Sequence, residues 1–222
     1  MSFWIEWCRL VRDINPDAYI VGEIWKTAPH WLDGRTFDAV MNYPFAEAAL
    51  AWIGHDRMKI PPSELDRRLG ELRAAYPPEV TAVMQNLGDS HDTDRLVSKI
   101  FNPDRAFEEG NREQGDPTYD GGKPTEECYR RARLFAFLQM TSPGAPMIYY
   151  GDEAGMWGSD DPNNRKPMLW KDLEPYDEPG QAVMPEHLAF YRDAIALRND
   201  HAALRTGGIH TVLVDDDRDI WA

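Results

Sequence analysis

The sequence predicts an α/β fold built on a parallel sheet, and two kinds of observation support this class. Short, continuously apolar runs are typical of strands that are buried on both faces. They alternate with longer segments in which apolar residues recur at helical spacing. This alternation is the pattern of β-α-β units. The 222 residues are enough for one large domain or two small ones.

The helices are predicted from apolar residues that recur three and four positions apart. They cover residues 3–14, the stretch after Pro44, and residues 62–76, 126–143 and 185–200. Ser63, followed by Asp66, resembles a capping box at the start of the third helix.

Four strands are predicted over residues 19–25, 36–45, 80–87 and 145–153. A hairpin is predicted near the end of the sequence, around the acidic turn of residues 215–219. Two polar segments, residues 102–124 and 151–185, are predicted to be long loops. Loops of this length inside a domain are usually functional or disordered.

Composition argues against several kinds of partner. Lys and Arg number 24 against 38 Asp and Glu, which gives a net charge of −14. No nucleic-acid partner is expected, because this charge repels phosphates. No membrane partner is expected, because no apolar run reaches the ~18 residues of a membrane span. Cys8 and Cys128 form no motif and fit a reducing compartment, and a disulfide between them stays open.

Polar residues lie at the ends of three predicted strands. Glu23 ends the first strand, His91 and Asp92 follow the third, and Asp152 and Glu153 end the fourth. Active sites of parallel α/β folds form at these carboxyl ends. We expect partial burial of Glu23, which favours a protonated carboxyl group and suits a general acid, while Asp92 stays ionised. Two carboxyl groups with different protonation states are what glycoside hydrolysis requires.

Each of these signals also has a structural explanation. A Glu at a strand end is commonly a solvated loop residue or a helix cap, and the segment around His91 fits a capped turn that leads into a helix. A metal site formed by Asp89, His91 and Asp92 has weak support, because one His with flexible carboxylates is a poor donor set. Three tryptophans fit core packing as well as a sugar platform: Trp25, Trp157 and Trp170.

Taken together, the segments resemble the α-amylase family, glycoside hydrolase family 13. The segments "VGEIW", "NLGDSHDTDR" and "GAPMIYYGDEAGMWG" are similar, in order, to later motifs of that family. "WLDGRTFDAVMNYPF" and "DPNNRKPMLW" look most like its neopullulanase, cyclomaltodextrinase and maltogenic amylase branch. The resemblance implies strands 5–8 and their helices of a (β/α)8 TIM barrel over residues 1–204. It implies the first strands of an antiparallel β domain over residues 205–222.

The resemblance also implies an activity. The family hydrolyses α-glucosidic bonds in α-glucans, maltooligosaccharides or cyclodextrins, with retention through a covalent glycosyl-enzyme. The similarity implies that Glu23 is the general acid/base. It implies that Asp92 is a further carboxylate that orients substrate hydroxyls, and that His91 hydrogen-bonds the sugar at the cleavage site.

Further substrate contacts follow from the same resemblance. Trp25 is implied to line the leaving-group side, and Asp161 and Arg165 to hold the next sugar on the non-reducing side. No cofactor and no metal site are implied. Some relatives bind a structural Ca²⁺ ion, but this segment does not imply one. The branch is often intracellular, which favours a cytoplasmic location.

The nucleophilic Asp of the family has no counterpart in this sequence. The resemblance places it on the strand before the one that carries Glu23. Asp13 lies at the end of a helix and Asp17 follows it, rather than a strand, which puts both at the wrong face. We therefore expect the chain to be inactive by itself, because retention needs that carboxylate. Exposed half-barrel surfaces are expected to pair with a complementary half or to form a homo-oligomer.

Two other functions stay open. The first is glucan transfer, which product analysis with an added acceptor sugar separates from hydrolysis. The second is a non-catalytic partner subunit. The presence of Glu23, His91 and Asp92 argues against a decayed site.

Overall fold

Four short strands run parallel to one another. The structure is a computed structural model that describes residues 2–107, 110–176 and 180–222. The strands are β1 (Val21–Gly22), β2 (Ala39–Val40), β3 (Gln85–Asn86) and β4 (Ala145–Pro146). β1 pairs with β2, and β3 pairs with β4. A parallel bridge between Met41 and Gln85 joins the two pairs, so the strands are neighbours in chain order.

Helices separate the strands. The α-helices are α1 (Ser2–Ile14), α2 (Tyr43–Ile53), α3 (Pro62–Ala74), α4 (Pro78–Thr81), α5 (Leu96–Phe101), α6 (Glu126–Thr141), α7 (Pro185–Asp200) and α8 (Ala202–Thr206). Three short 3-10 helices lie in loops: η1 (Pro29–Trp31), η2 (Asn163–Arg165) and η3 (Lys171–Leu173). The alternation of helices and parallel strands confirms the predicted α/β class.

Two apolar clusters hold these elements together. One lies between α2, α3, α5 and α6 and includes Phe45, Leu65, Leu96 and Phe135. The other lies between α1, β1 and β2 and includes Cys8, Ile20, Phe37, Val40 and Met84. The second cluster includes Ala39 and Val40 of β2, so packing fixes the position of this strand.

Several predicted elements were wrong in their bounds. Each predicted strand is only two residues long in the structure. The third prediction began at residue 80, but Pro78–Thr81 is a helical turn, because Pro78 stands at a position where a missing N–H costs nothing. The capping box was also wrong. Pro61 precedes α3, and Ser63 lies inside that helix with its hydroxyl bonded to the Asp216 carboxylate.

The predicted C-terminal hairpin is present. β5 (Val214–Asp215) pairs antiparallel with β6 (Ile220–Trp221). The indole N–H of Trp221 donates to Asp66 of α3 at 2.9 Å. The predicted domain boundary after residue 204 falls inside α8, and the division into domains stays a prediction. Among the residues described, no helix combines the length and apolar character that a membrane span requires.

Candidate active site

Glu23 stands directly after β1. The Phe37 ring packs beneath this point so closely that a Cβ on Gly22 would lie 2.5 Å from the ring carbon Cδ2. Glycine is therefore required before Glu23, because any side chain would displace the ring or the strand. The prediction of partial burial was wrong: Glu23 is exposed.

A tight turn after β3 carries His91 and Asp92. The Ser90 hydroxyl accepts the backbone N–H of Asp92 at 3.1 Å, and the Thr93 hydroxyl accepts that of Ser90 at 3.0 Å. Asp89 accepts the first backbone N–H of α5, from Leu96, at 2.7 Å. The segment is thus also a capped turn that leads into helix α5, as the structural explanation of this sequence predicted. Its caps hold both site residues in place.

The structure brings Glu23, His91 and Asp92 together. Their nearest carboxylate and imidazole atoms all lie within 4.8 Å of one another. His91 Nε2 is 3.4 Å from Asp92 Oδ2. All three side chains are exposed, so a ligand can reach them. Two strands that are distant in sequence therefore supply one polar cluster at the same edge of the sheet.

The loop around η2 supplies the next two predicted residues. Arg165 Nη2 donates to Asp92 Oδ1 at 3.2 Å, and Arg165 Nε lies 3.4 Å from Asp161 Oδ1. The same loop also forms hydrogen bonds with the turn that carries His91 and Asp92. The buried Asn164 side-chain N–H2 donates to the carbonyls of Thr93 at 2.7 Å and His91 at 2.8 Å. The two segments thus form one continuous site.

Trp25 joins the cluster through Tyr43. The two rings stack with centroids 3.9 Å apart and planes 7° apart. The Tyr43 hydroxyl donates to Glu23 Oε1 at 3.1 Å and lies 2.9 Å from Ser90 Oγ. Burial raises the pKa of Tyr43 well above its usual value, so its hydroxyl stays protonated. All six residues predicted for the site therefore lie in one connected cluster.

The polar residues at the end of the fourth predicted strand have a different place. Asp152 is buried, and Arg95 Nη1 lies 3.2 Å from its Oδ1. Burial raises the pKa of both Asp152 and the adjacent Asp89, with Arg95 opposing the shift. Glu153 accepts the backbone N–H of Gly151 at 2.9 Å. The contacts of Asp152 and Glu153 stabilise the loop that follows β4.

The cluster of Glu23, His91 and Asp92 fits a metal ion poorly. Arg165 already neutralises Asp92, and a guanidinium competes with any cation for that carboxylate. Calcium also prefers six to eight oxygen ligands, of which this cluster offers few. The arrangement instead suits sugar hydroxyls, which need charged hydrogen-bond partners, beside an aromatic face.

Three contributing residues were missed from the sequence: Tyr43, Ser90 and Asn164. Tyr43 follows the second strand, and its position at a strand end was an available signal. Ser90 and Asn164 act through contacts with segments far away in the sequence. No sequence pattern indicates those contacts.

Comparison with known proteins identifies the class of this site. Residues 1–207 match the alpha-amylase family, described as the alpha amylase catalytic domain. A cyclomaltodextrinase of Bacillus sp. is 41% identical over 206 residues, covering 93% of this chain and 31% of the relative. Neopullulanase 2 of Thermoactinomyces vulgaris is 36% identical over 221 residues, covering 100% of this chain and 32% of the relative.

Solved structures agree. A cyclomaltodextrinase structure matches with a TM-score of 0.77 and 36% identity, over 97% of this chain and 31% of that one. The chain belongs to the α-amylase family and is a glycoside hydrolase by ancestry. Its relatives place it in the cyclomaltodextrinase and neopullulanase branch. It spans about a third of the length of these curated relatives.

Proposed function

We propose that the protein to which this chain belongs hydrolyses α-glucosidic bonds in cyclodextrins and maltooligosaccharides with retention of configuration. The convergence of Glu23, His91 and Asp92 within 4.8 Å carries this proposal. Relatives named as cyclomaltodextrinase and neopullulanase support the substrate class. We assign Glu23 as the general acid/base because it lies at the strand end within the cluster, where a substrate can reach its carboxyl group, and because Tyr43 holds that group by a hydrogen bond.

The other residues take roles that their contacts support. Asp92 orients sugar hydroxyls, since Arg165 keeps it in place as a carboxylate. His91, the residue before Asp92 on the same turn, donates to the sugar at the cleavage site. Asp161 and Arg165 hold the next sugar on the non-reducing side. Trp25 covers the apolar face of the leaving group.

We place strands β1–β4 as the fifth to eighth strands of a (β/α)8 barrel, with residues 205–222 as the first strands of an antiparallel β domain. Sequential parallel pairing supports this placement. Among the described residues, β1 pairs only with β2. A 390 Å³ cavity, lined by Trp4, Trp7 and Phe37 among others, lies beside Glu23. Val21 and Gly22 of β1 also line it, so it leaves room for a further strand beside β1.

The nucleophile comes from another part of the protein in this proposal. Retention requires two carboxyl groups about 5–5.5 Å apart across the bond, one of them a nucleophile. In the part of the chain that the structure describes, the cluster holds Glu23 and Asp92, to which other roles are assigned. The 222-residue chain therefore does not cleave glycosides by itself.

A contact surface follows from the same placement. α1 exposes Phe3, Trp4, Trp7, Leu10 and Ile14 along one side. In the complete protein the remaining strands and helices of the barrel cover this side. The isolated chain covers it with a second copy and forms a homo-oligomer, because so large an apolar surface is unfavourable in water. Two buried, free cysteines support a cytoplasmic location.

The test uses a chimaera in which residues 1–207 replace the matching segment of the Bacillus cyclomaltodextrinase. The chimaera is expected to cleave β-cyclodextrin and to release α-anomers in the first minutes of an NMR time course. E23Q lowers its rate by about 10³-fold or more, and E47Q, at an exposed position of α2, leaves it unchanged. An active E23Q chimaera, or a β-anomeric first product, contradicts the proposal. Longer products with added glucose indicate transfer instead.

A further inference from the structure

Tyr43 contacts both segments that form the polar cluster, one at Glu23 and the other at Ser90. It is the first residue of α2, and only 1% of its surface is exposed. Its hydroxyl lies between Glu23 Oε1 at 3.1 Å and Ser90 Oγ at 2.9 Å. The stack with Trp25 fixes the plane of its ring. The hydroxyl therefore cannot leave this position without breaking packing on the whole ring.

The direction of each hydrogen bond follows from counting protons. An ionised carboxylate only accepts, so the Tyr43 O–H donates to Glu23. The Tyr43 oxygen then accepts from the Ser90 hydroxyl, which is its other neighbour. The Ser90 oxygen in turn accepts the backbone N–H of Asp92 at 3.1 Å. Each hydroxyl donates once and accepts once, so the hydrogen bonds form one continuous series from the Asp92 backbone to Glu23.

We propose that Tyr43 is a positioning residue that engages Oε1 of Glu23, so that the proton given to the leaving group resides on Oε2. The inference rests on the acid/base role assigned to Glu23 above. With the proton on Oε2, Oε1 is a carbonyl oxygen and still accepts from Tyr43. No hydrogen bond in this series has to change its direction when Glu23 is protonated.

The proton transfer balances on this arrangement. The O–H bond on Oε2 breaks, the proton goes to the glycosidic oxygen, and the electron pair stays on Glu23 as a carboxylate. The bond from Tyr43 then becomes charge-assisted and stronger. Tyr43 thus stabilises Glu23 most in the state that follows transfer. The chain through Ser90 also sets the distance between the acid and the turn that carries Asp92.

A second buried tyrosine provides a matched control. Tyr129 is also 1% exposed, and its hydroxyl donates to the Gly155 carbonyl at 2.9 Å. Y129F therefore removes one buried hydroxyl, as Y43F does, but away from Glu23, and it removes one hydrogen bond where Y43F removes two. Both variants keep the aromatic ring. If the only effect of each substitution were a loss of stability, both variants would change the labelling rate at Glu23 in the same way.

The experiment labels carboxyl groups of the full 222-residue chain with a carbodiimide and an amine, and mass spectrometry gives the rate at each site. Glu23 is exposed, so its rate reports its hydrogen bonding rather than its access. Y43F is expected to raise the rate at Glu23 roughly threefold to tenfold, since a hydrogen bond to a charged group is lost. Y129F leaves it unchanged. A Glu23 rate in folded Y43F equal to that of the wild type overturns the inference.

Two further measurements keep the test decisive. If Y43F does not fold, S90A removes the donor to Tyr43, and the inference requires the Glu23 rate to rise about twofold. An unchanged rate overturns it. In the active chimaera, Y43F lowers kcat about tenfold with KM within twofold. A response in labelling with an inactive chimaera confirms the hydrogen bond from Tyr43 to Glu23 but rejects the hydrolase, and with it the proton transfer from Oε2. An active chimaera in which Y43F changes neither the labelling rate at Glu23 nor kcat supports the hydrolase and overturns the inference.

Discussion

Substitution of Asn164 tests how the site is held together. This side chain is fully buried, and its N–H2 group donates to the carbonyls of Thr93 at 2.7 Å and His91 at 2.8 Å. N164D keeps the shape but replaces the donors with an acceptor. Two hydrogen bonds worth about 1 kcal/mol each are lost, and two buried carbonyls face a carboxyl group. We expect the free energy of unfolding to fall by about 3 kcal/mol at pH 7.

The loss depends on pH in a defined direction. The introduced carboxyl group is buried and faces carbonyl oxygens, so the folded state retains its proton to higher pH than the unfolded state. Stability therefore decreases as pH rises, and N164D is less destabilised at pH 5 than at pH 8. Urea unfolding at the two pH values measures both effects. Amide hydrogen exchange in residues 90–93 is expected to accelerate at the same time.

A neighbouring residue provides the control. Asn163 donates to Glu113 at 3.0 Å and to Ser159 at 3.1 Å, and water can reach it. N163D makes the same chemical change where water can reach the side chain. It loses two hydrogen bonds and puts a carboxylate beside Glu113, but solvent screens the repulsion, so the loss stays at about 1–2 kcal/mol. Equal losses in N164D and N163D refute the reasoning. So does a loss in N164D that does not grow with pH.

Three other outcomes are expected. Burial lowers the pKa of His187 to about 4, so the folded state loses about 3 kcal/mol of stability as pH falls from 7 to 4. H187Q removes this dependence in urea titrations, whereas H201Q, at an exposed site, leaves it intact. Burial raises the pKa of Asp152, so D152N gains stability relative to wild type as pH rises from 4 to 7, by at most about 1.4 kcal/mol per pH unit. A pH-independent difference would reject that assignment. In the chimaera, W25A raises KM for β-cyclodextrin about tenfold, while W170A stays within twofold; equal effects exclude a specific platform at Trp25.

The position of the site could be predicted from the sequence. Glu23 and the pair His91–Asp92 follow apolar runs, and parallel strands place their carboxyl ends at one edge. Asp161 and Arg165 required the family resemblance, because a polar loop by itself does not indicate its direction. The resemblance also identified the branch that the relatives confirm.

Contacts between distant segments could not be predicted in this way. Tyr43 reaches Glu23 and Ser90 because helix α2 starts directly beneath both, a fact of packing rather than of local pattern. The exposure of Glu23 likewise depends on the tertiary structure around it. Asp152 ends the fourth predicted strand as Glu23 ends the first, yet it is buried against Arg95. Only the tertiary structure separates these two carboxylates.

Chemical rescue tests the acid/base role of Glu23 most directly. The measurement adds azide to the E23A chimaera with an aryl maltoside whose leaving group needs no acid. The account predicts that azide restores turnover and that NMR shows an α-glycosyl azide, because azide enters on the side that Glu23 vacates. A β-glycosyl azide would make Glu23 the nucleophile. No rescue in a folded E23A chimaera would remove Glu23 from the reaction.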